Sequence, residues 1–360
     1  MKISNVCFAT LVGLGLTSAA MAAEATPLQT MTKSSKLKVE VRTELENNDH
    51  GELKTEDSTP SATTRMSLKA MKLGLSGDVN SKVKYKYRYN FATNRLDYGY
   101  VAGEMGPVSL LVGQNKVLQG GWEQQENSTM LINKSTYNNK GMPLLGYQPM
   151  IQASMELAGT LALQVTNDQT AAKASWATGK EADKQPAMVL AWMGDFNGIM
   201  PLIQIGQYDY THSRWIALGV KTSMKGLDAR FDYIMDSQSE KTPDGTNFKD
   251  EFNEVSTMTL YVGYEVKGTV KPYLSVSTYD VKQHTSDAKT NGIIDAAEGA
   301  NSADNAMDLS VGTHVMLWDE SLMPYVAYVS KSGTFTKSAT DDAEVTRTQS
   351  KMLLGVASIF

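Results

Sequence analysis

The sequence predicts an all-β protein: a closed antiparallel transmembrane β-barrel of about 16 strands, with short periplasmic turns and long extracellular loops. Segments of about ten residues in which apolar and polar side chains alternate recur along the chain. The connections between these segments alternate between short turns and long polar loops. Beyond the amino-terminal 22 residues there is no run of about 18 apolar residues, so membrane-spanning helices are excluded.

The clearest alternation lies in residues 82–91, which read K-V-K-Y-K-Y-R-Y-N-F. Successive strand residues point to opposite faces, so one face is apolar and aromatic and the other is largely cationic. A soluble sandwich would bury the apolar face, whereas a barrel would turn it to lipid and turn the cations to the lumen. Other segments favour the barrel, because each has one apolar face and one small or polar face. Apolar faces of this kind carry Leu161, Leu163 and Val165; Met188, Leu190 and Trp192; Met258, Leu260, Val262 and Tyr264; and Leu309, Val311 and Val315.

Sixteen segments are predicted as strands, and an even number places both chain ends on the same side. The predicted strands are 36–45, 65–77, 82–91, 96–105, 108–116, 149–158, 160–167, 187–196, 202–211, 214–225, 227–236, 255–266, 269–280, 306–317, 322–332 and 349–360. The short connections are 78–81, 106–107, 159, 197–201, 225–226, 267–268 and 318–322. One exception is 212–213, a short connection where the pattern requires a long loop.

The first 22 residues predict a secretory signal peptide. Lys2 is followed by an apolar run at 6–16 and by Ala20-Met21-Ala22, which fits a cleavage site. The barrel would then occupy residues 23–360. Cys7, the only cysteine, lies within the signal, so the fold is not a disulfide scaffold. The predicted location is the outer membrane of a Gram-negative bacterium.

The net charge of −5 conceals a division between loops and framework. The four polar stretches 46–63, 237–254, 281–305 and 333–348 hold 17 acidic and 7 basic residues. That leaves 22 acidic and 27 basic residues elsewhere, so the framework is mildly basic. The charge on the framework bears on which ions would pass.

Cations on the lumenal faces of the first three strands are the sharpest functional signal, because Lys and Arg along a pore favour anions. Glu40 and Glu44 share this face and would partly neutralise it. The alternative is a solvated face whose charges serve solubility. The predicted pore-lining residues are Lys38, Arg42, Lys69, Lys84, Lys86 and Arg88.

The long segment 117–148 follows the fifth strand and is rich in Gly, Asn, Gln and Ser. Loops of this length are usually functional or disordered. We expect an inward-folding loop that narrows the channel; an outward surface loop is the alternative. The candidate constriction residues are Trp122, Glu123, Glu126 and Lys134.

Tryptophans and tyrosines are numerous enough to form the aromatic girdles of a membrane barrel, although ordinary packing is an equal alternative. The five tryptophans are Trp122, Trp176, Trp192, Trp215 and Trp318.

Catalytic and metal signals are weak. Residues 287–298 partly match a calcium loop, with Asp287, Asn291, Asp295 and Glu298 as candidate ligands. Lys289 stands at a ligand position, so an acidic surface loop is favoured and no metal or other cofactor is expected. His212-Ser213 has no recognisable third catalytic partner, so we expect no enzyme.

Residues 65–123 resemble the amino-terminal part of the phosphate-selective porin family. The resemblance rests on R-M-S-L-K-A-M-K-L-G-L-S-G-D-V-N-S-K-V-K-Y-K-Y-R-Y-N-F-A, followed by L-D-Y-G-Y-V-A-G and L-L-V-G-Q-N-K. The family usually continues into Pro-Phe-Gly, where this chain has Val-Leu-Gln-Gly-Gly at 117–121. The resemblance implies a 16-stranded trimeric outer-membrane porin that prefers anions such as phosphate. The final Phe360, with apolar residues on its parity, resembles the terminal signal read by the barrel-assembly machinery.

The resulting hypothesis is an outer-membrane porin: a water-filled channel for passive diffusion of small hydrophilic solutes, with anions preferred. Expected partners are outer-membrane lipids, these solutes, the assembly machinery and two further copies of the chain, and no nucleic acid. The alternatives are a general or cation-preferring pore, a plugged structural or adhesive surface barrel, and a barrel hydrolase.

Overall fold

The computed structural model confirms the predicted fold class. The described residues form sixteen antiparallel strands in one closed barrel. The structure describes residues 35–50, 63–126, 135, 146–167, 186–207, 214–244, 247–283, 303–317, 321–338 and 341–360. The predicted signal peptide, Lys134 and the calcium candidates at 287–298 lie outside these residues.

Each of the sixteen observed strands corresponds to one predicted strand. Their bounds are β1 Lys36–His50, β2 Thr63–Asn80, β3 Val83–Asn90, β4 Arg95–Met105, β5 Val108–Lys116, β6 Tyr147–Glu156, β7 Thr160–Asn167, β8 Pro186–Met193, β9 Ile199–Gln207, β10 Arg214–Met224, β11 Leu227–Asp244, β12 Asn247–Tyr264, β13 Val270–Gln283, β14 Ala303–Val315, β15 Leu322–Ser338 and β16 Asp341–Ile359. A short helix, α1 (Gly121–Gln125), lies between β5 and β6. Within the described part of the chain, no helix is long and apolar enough to cross a membrane.

The strands pair in chain order, and β1 pairs with β16 to close the ring. The seam extends one residue past β16, where Val39 and Phe360 exchange two backbone hydrogen bonds of 2.8 Å each. Closure leaves no open sheet edge, so the backbone groups of every strand have partners on both sides.

The two faces of the wall differ as the alternation predicted. Outward side chains such as Leu190 and Leu260 are 45% and 47% exposed. Inward side chains such as Ala162 and Gln164 are 0% exposed. An apolar exterior around a polar or small interior is typical of a barrel that lies in lipid.

Tight turns join the strands at one end of the barrel. Asn197-Gly198, Lys225-Gly226 and Lys267-Gly268 each have two successive residues with positive φ, from 51° to 87°. Type I′ hairpin turns require this conformation, and glycine adopts it without a side-chain clash.

One predicted strand was displaced along the chain. β9 begins at Ile199 instead of residue 202 and ends at Gln207 instead of residue 211. The true turn precedes Ile199, because the Asn-Gly pair supplies the positive φ values that the turn needs. The two-residue connection predicted at 212–213 lies outside the described residues, which resume at the start of β10, Arg214.

The predicted boundaries at the other end were also too short. β11 and β12 continue through most of the polar stretch 237–254, with only residues 245–246 between them. β15 and β16 likewise pair through most of 333–348. A hairpin that projects into water on both faces does not require apolar alternation, so its sequence resembles a loop although its backbone is paired.

Candidate functional site

A network of ion pairs covers the inner wall formed by β1 to β4. Its centre is Glu40, which is 1% exposed. The Glu40 carboxylate lies 3.0 Å from the ammonium of Lys38, 3.6 Å from that of Lys72 and 3.9 Å from the Arg88 guanidinium. Three strands thus contribute cations to one carboxylate, which offsets part of the desolvation of each charge.

A second carboxylate, Glu44, joins this network across the seam of the barrel. Glu44 lies 2.6 Å from Arg42 and 3.2 Å from Lys69. Tyr325 on β15 donates a 2.6 Å hydrogen bond to Glu44 and accepts one of 2.8 Å from Arg42. The predicted pore-lining residues Arg42 and Lys69 therefore lie together on the inner side of the wall.

Lys72 was not among the predicted lining residues, although its side chain is 3% exposed and reaches Glu40. Strict alternation places Lys69 and Lys72 on opposite faces. Arg42 on β1 pairs with Ala70 on β2, whereas the next residue, Thr43, pairs with Leu68, so Lys69 is an extra residue in β2. This bulge turns the side chains of both Lys69 and Lys72 to the inside of the barrel. The sequence does carry a signal for it, because the apolar series changes parity from Met66 and Leu68 to Met71, Leu73 and Leu75.

Lys84 and Lys86 occupy different environments on the same strand face. Lys84 lies near the β2–β3 turn, 61% exposed and 3.6 Å from the exposed Glu104. Lys86 is half-buried, and its ammonium lies 4.1 Å from the centre of the Tyr98 ring. No carboxylate of the described residues forms an ion pair with Lys86. Lys84 thus lies at the mouth, whereas Lys86 lies within the wall.

Residues 117–126 leave β5 and run along the inner faces of β9, β10 and β11. Gly121 N–H donates to Gln204 (3.1 Å), and the Trp122 and Glu123 N–H groups donate to the Asp232 carboxylate at 2.7 and 3.0 Å. The first turn of α1 is therefore anchored on the opposite wall, because these N–H groups have no partners within the helix.

Glycine permits this close approach. Gly121 has a φ of 71°, and a Cβ at this position would lie 2.6 Å from Cγ of Asp232. A Cβ on Gly219 would lie 2.5 Å from an Asp232 carboxylate oxygen. Larger residues at either position would push α1 off the wall.

The carboxylates of α1 and of the residue after it also make anchoring contacts. Glu126 lies 2.6 Å from Lys221 and 3.8 Å from Arg230. Glu123 is 1% exposed and accepts a 2.9 Å hydrogen bond from the N–H of Ser135. These two predicted constriction residues hold the segment in place, as does Trp122, whose indole N–H donates to the Met200 carbonyl at 3.1 Å.

An apolar cluster fills part of the interior on the side of β5 to β10. The sequence did not predict this cluster. Its largest member is Trp215, which is 0% exposed, although it was a candidate for an aromatic girdle on the outer face. Gly206 makes room for the indole, since a Cβ there would lie 2.0 Å from Trp215. The buried members are Leu111, Val117, Met150, Ala187, Val189 and Trp215. Water is therefore excluded from this part of the interior.

Together these features define a class of fold: a porin-type barrel. It is closed by sixteen strands, has a charged interior wall and carries a segment folded against the inner wall. The suspected resemblance is confirmed, since the sequence profile of the phosphate-selective porins O and P matches residues 39–198. A comparison with curated protein sequences found no match.

Solved structures agree on the fold. The outer-membrane channel DcaP of Acinetobacter baumannii is 12% identical with a TM-score of 0.66, over 91% of this chain and 97% of that one. An anion-selective porin from Comamonas acidovorans is 12% identical with a TM-score of 0.57, over 91% and 99%. The trimer form of OmpT from Vibrio cholerae is 12% identical with a TM-score of 0.59, also over 91% and 99%.

Proposed function

We propose that this protein is an outer-membrane channel through which small hydrophilic solutes diffuse passively, and that it prefers anions. The family match and the fold point to a channel and not to an enzyme. The observation that supports anion preference is the excess of positive charge in the ion-pair network on β1 to β4.

Among the described residues, the ion-pair network on β1 to β4 and β16 holds eight cations and four carboxylates, counted with Lys86 and without the exposed Lys84–Glu104 pair at the mouth. Rings and ladders of Lys and Arg favour anions, and internal carboxylates reduce this preference without reversing it here. The four carboxylates are Glu40, Glu44, Glu46 and Asp97. The eight cations are Lys38, Arg42, Lys69, Lys72, Lys86, Arg88, Arg95 and Lys351.

The opposite wall supports a second candidate, a general or weakly cation-preferring pore. Asp228, Asp232 and Asp308 lie on inner faces of β11 and β14, and Glu123 and Glu126 belong to the inward segment. Their partners include Lys221, Arg230, Lys271 and Lys331. Solutes would pass between a basic wall and a more acidic one, and the net preference depends on which lies nearer the path.

In the proposed channel, residues 117–126 narrow the lumen. The apolar cluster around Trp215 closes the side of β5 to β10, so water and solutes pass along the charged walls. We further propose that the chain assembles as a homotrimer, in keeping with the trimeric OmpT that shares its fold. Export by the predicted signal at 1–22 and insertion by the barrel-assembly machinery belong to the same proposal.

Reversal potentials in planar bilayers test the proposal, with a tenfold KCl gradient across the membrane. We expect a potential of the sign that indicates chloride preference. We expect Lys86→Gln to move this potential towards cations, because Lys86 lies in the wall and forms no ion pair with a carboxylate of the described residues.

Lys84→Gln is the matched control, since Lys84 lies on the same strand face but at the exposed mouth beside Glu104. It should move the potential less than Lys86→Gln does. A wild-type potential of the opposite sign would favour the second candidate, and the absence of any conductance would favour a plugged barrel.

A further inference from the structure

A cluster of cations and tyrosines on the inner wall has a composition that simple ion conduction does not require. We call it the cation–tyrosine patch: Lys86 and Arg88 on β3, Arg95 and Tyr98 on β4, and Tyr147 at the start of β6.

The members of the patch form one continuous surface. Tyr98 and Tyr147 meet edge to face, with ring centres 5.1 Å apart. Lys86 and Arg88 lie 4.1 and 4.4 Å from the centre of the Tyr98 ring, and Arg95 lies 5.2 Å from that of Tyr147. Arg88 also donates a 2.6 Å hydrogen bond to the Tyr147 hydroxyl, which fixes the two rings relative to each other.

The patch holds more positive charge than its carboxylate neutralises. Asp97, which is buried, lies 3.0 Å from Arg88 and 3.7 Å from Arg95. The other nearby carboxylate, Glu40, lies 3.9 Å from Arg88 and also contacts Lys38 and Lys72. Glu40 acts on Lys86 from beyond ion-pair distance, and no carboxylate of the described residues forms an ion pair with Lys86, so an anion that reaches the patch gains a favourable interaction.

The members of the patch differ in how much of each side chain is exposed. The Arg88 side chain is 12% exposed and acts as a support for the rings, whereas that of Arg95 is 54% exposed. Lys86, Tyr98 and Tyr147 are half-buried. Cations and aromatic surface are thus accessible side by side, because the β4 bulge at Asp97 turns both Asp97 and Tyr98 to the inside.

We infer that this patch is a binding subsite for planar organic anions of the size of an aromatic monocarboxylate. The carboxylate of the solute pairs with one of the accessible cations, Lys86 beside Tyr98 or Arg95 beside Tyr147, and its ring packs against the tyrosines. A compact inorganic anion would use the cations alone and gain nothing from the rings. This inference rests on the proposed channel function and adds a solute class to it.

The test compares two monocarboxylates of similar size as blockers of chloride current through single channels in planar bilayers. Benzoate is planar and aromatic, whereas cyclohexanecarboxylate has the same charge without a π face. We expect benzoate to reduce the chloride current at the lower concentration. Equal inhibition by the two anions, or none by either, would overturn the inference.

Variants separate the contribution of the ring from that of the charge. Tyr98→Leu should weaken inhibition by benzoate about threefold to fivefold, the range expected for one lost aromatic contact, and leave cyclohexanecarboxylate unaffected. Lys86→Met should weaken inhibition by both. Tyr328→Leu is the control, since Tyr328 is on the outer face and 40% exposed, and it should change neither.

The two proposals fail in different measurements. A cation-selective reversal potential contradicts the proposed anion preference, whatever benzoate does. An anion-selective channel that does not distinguish benzoate from cyclohexanecarboxylate contradicts the subsite alone.

Discussion

At the scale of single residues, the charged side chains of the inner wall are stable because carboxylates and cations neutralise one another. Glu40 has almost no exposed surface and lies within 4 Å of cations from β1, β2 and β3. A buried carboxylate surrounded by cations stabilises them collectively, so its removal costs far more than the loss of an exposed pair. The same residue also lowers the positive charge that a passing ion meets.

Glu40→Gln should therefore have two effects. We expect the free energy of unfolding to fall by about 3 kcal/mol, because Lys38, Lys72 and Arg88 would lose a shared buried partner. The reversal potential should also move further towards anions. Urea denaturation followed by tryptophan fluorescence measures the first effect, and a bilayer recording measures the second.

Glu104→Gln provides the control, because Glu104 is 54% exposed and pairs with Lys84, which is also exposed. We expect it to cost less than about 1 kcal/mol. Equal destabilisation by the two substitutions would show that Glu40 is not the centre of the network.

At the scale of elements, the segment 117–126 is held by contacts to a wall far from it in the sequence. Asp232 accepts two N–H groups of α1, and Lys221 and Arg230 approach Glu126. A helix of five residues has little stability of its own, so these contacts determine its position.

Asp232→Ala should loosen α1 and increase single-channel conductance, since the backbone N–H groups of Trp122 and Glu123 lose their acceptor. The current should also become noisier as the segment samples more positions. Single-channel recordings in symmetrical KCl measure both quantities.

Asp228→Ala is the matched control. Asp228 also lies on the inner face of β11, but it pairs with Lys271 at 2.7 Å instead of with α1. It should leave the conductance close to the wild-type value. If Asp232→Ala behaves like Asp228→Ala, the anchored segment does not limit conduction.

At the scale of the whole molecule, the described strands differ in length around the barrel. Strands β3 to β10 contain 8 to 11 residues, whereas β11 to β16 and β1 to β2 contain 13 to 19. About ten residues suffice to cross a membrane, so in the proposed outer-membrane channel the longer strands would project beyond the bilayer.

Removal of one projecting hairpin should therefore preserve the barrel. Gln238 pairs with Asn253, so residues 239–252 can be replaced by Asn-Gly, which favours a two-residue hairpin turn. We expect the shortened protein to keep its heat-modifiable migration on gels and its ion preference. Loss of the folded form would show that the projecting hairpin is required for closure.

Much of this architecture follows from the sequence alone. Alternation with a period of two identified all sixteen strands, because a wall between lipid and a polar interior requires opposite chemistry on its two faces. The Lys-Gly pairs at 225–226 and 267–268 marked two turns, whereas the turn at Asn197-Gly198 was predicted only as part of a longer connection, 197–201. The inner placement of Arg42, Lys86 and Arg88 follows from the same parity.

Three features could be determined only from the tertiary structure: the partners in each ion pair, the residues that anchor α1, and the position of Trp215 inside the barrel. Ion pairs between β1, β2 and β3 depend on strand register. Two bulges also reverse the face of the wall that strict alternation would assign to Lys72 and Asp97. The anchoring of α1 on Asp232 joins residues 110 positions apart, for which local sequence carries no signal. Local patterns determine the direction of a side chain along one strand, whereas its partners across the barrel depend on closure of the ring.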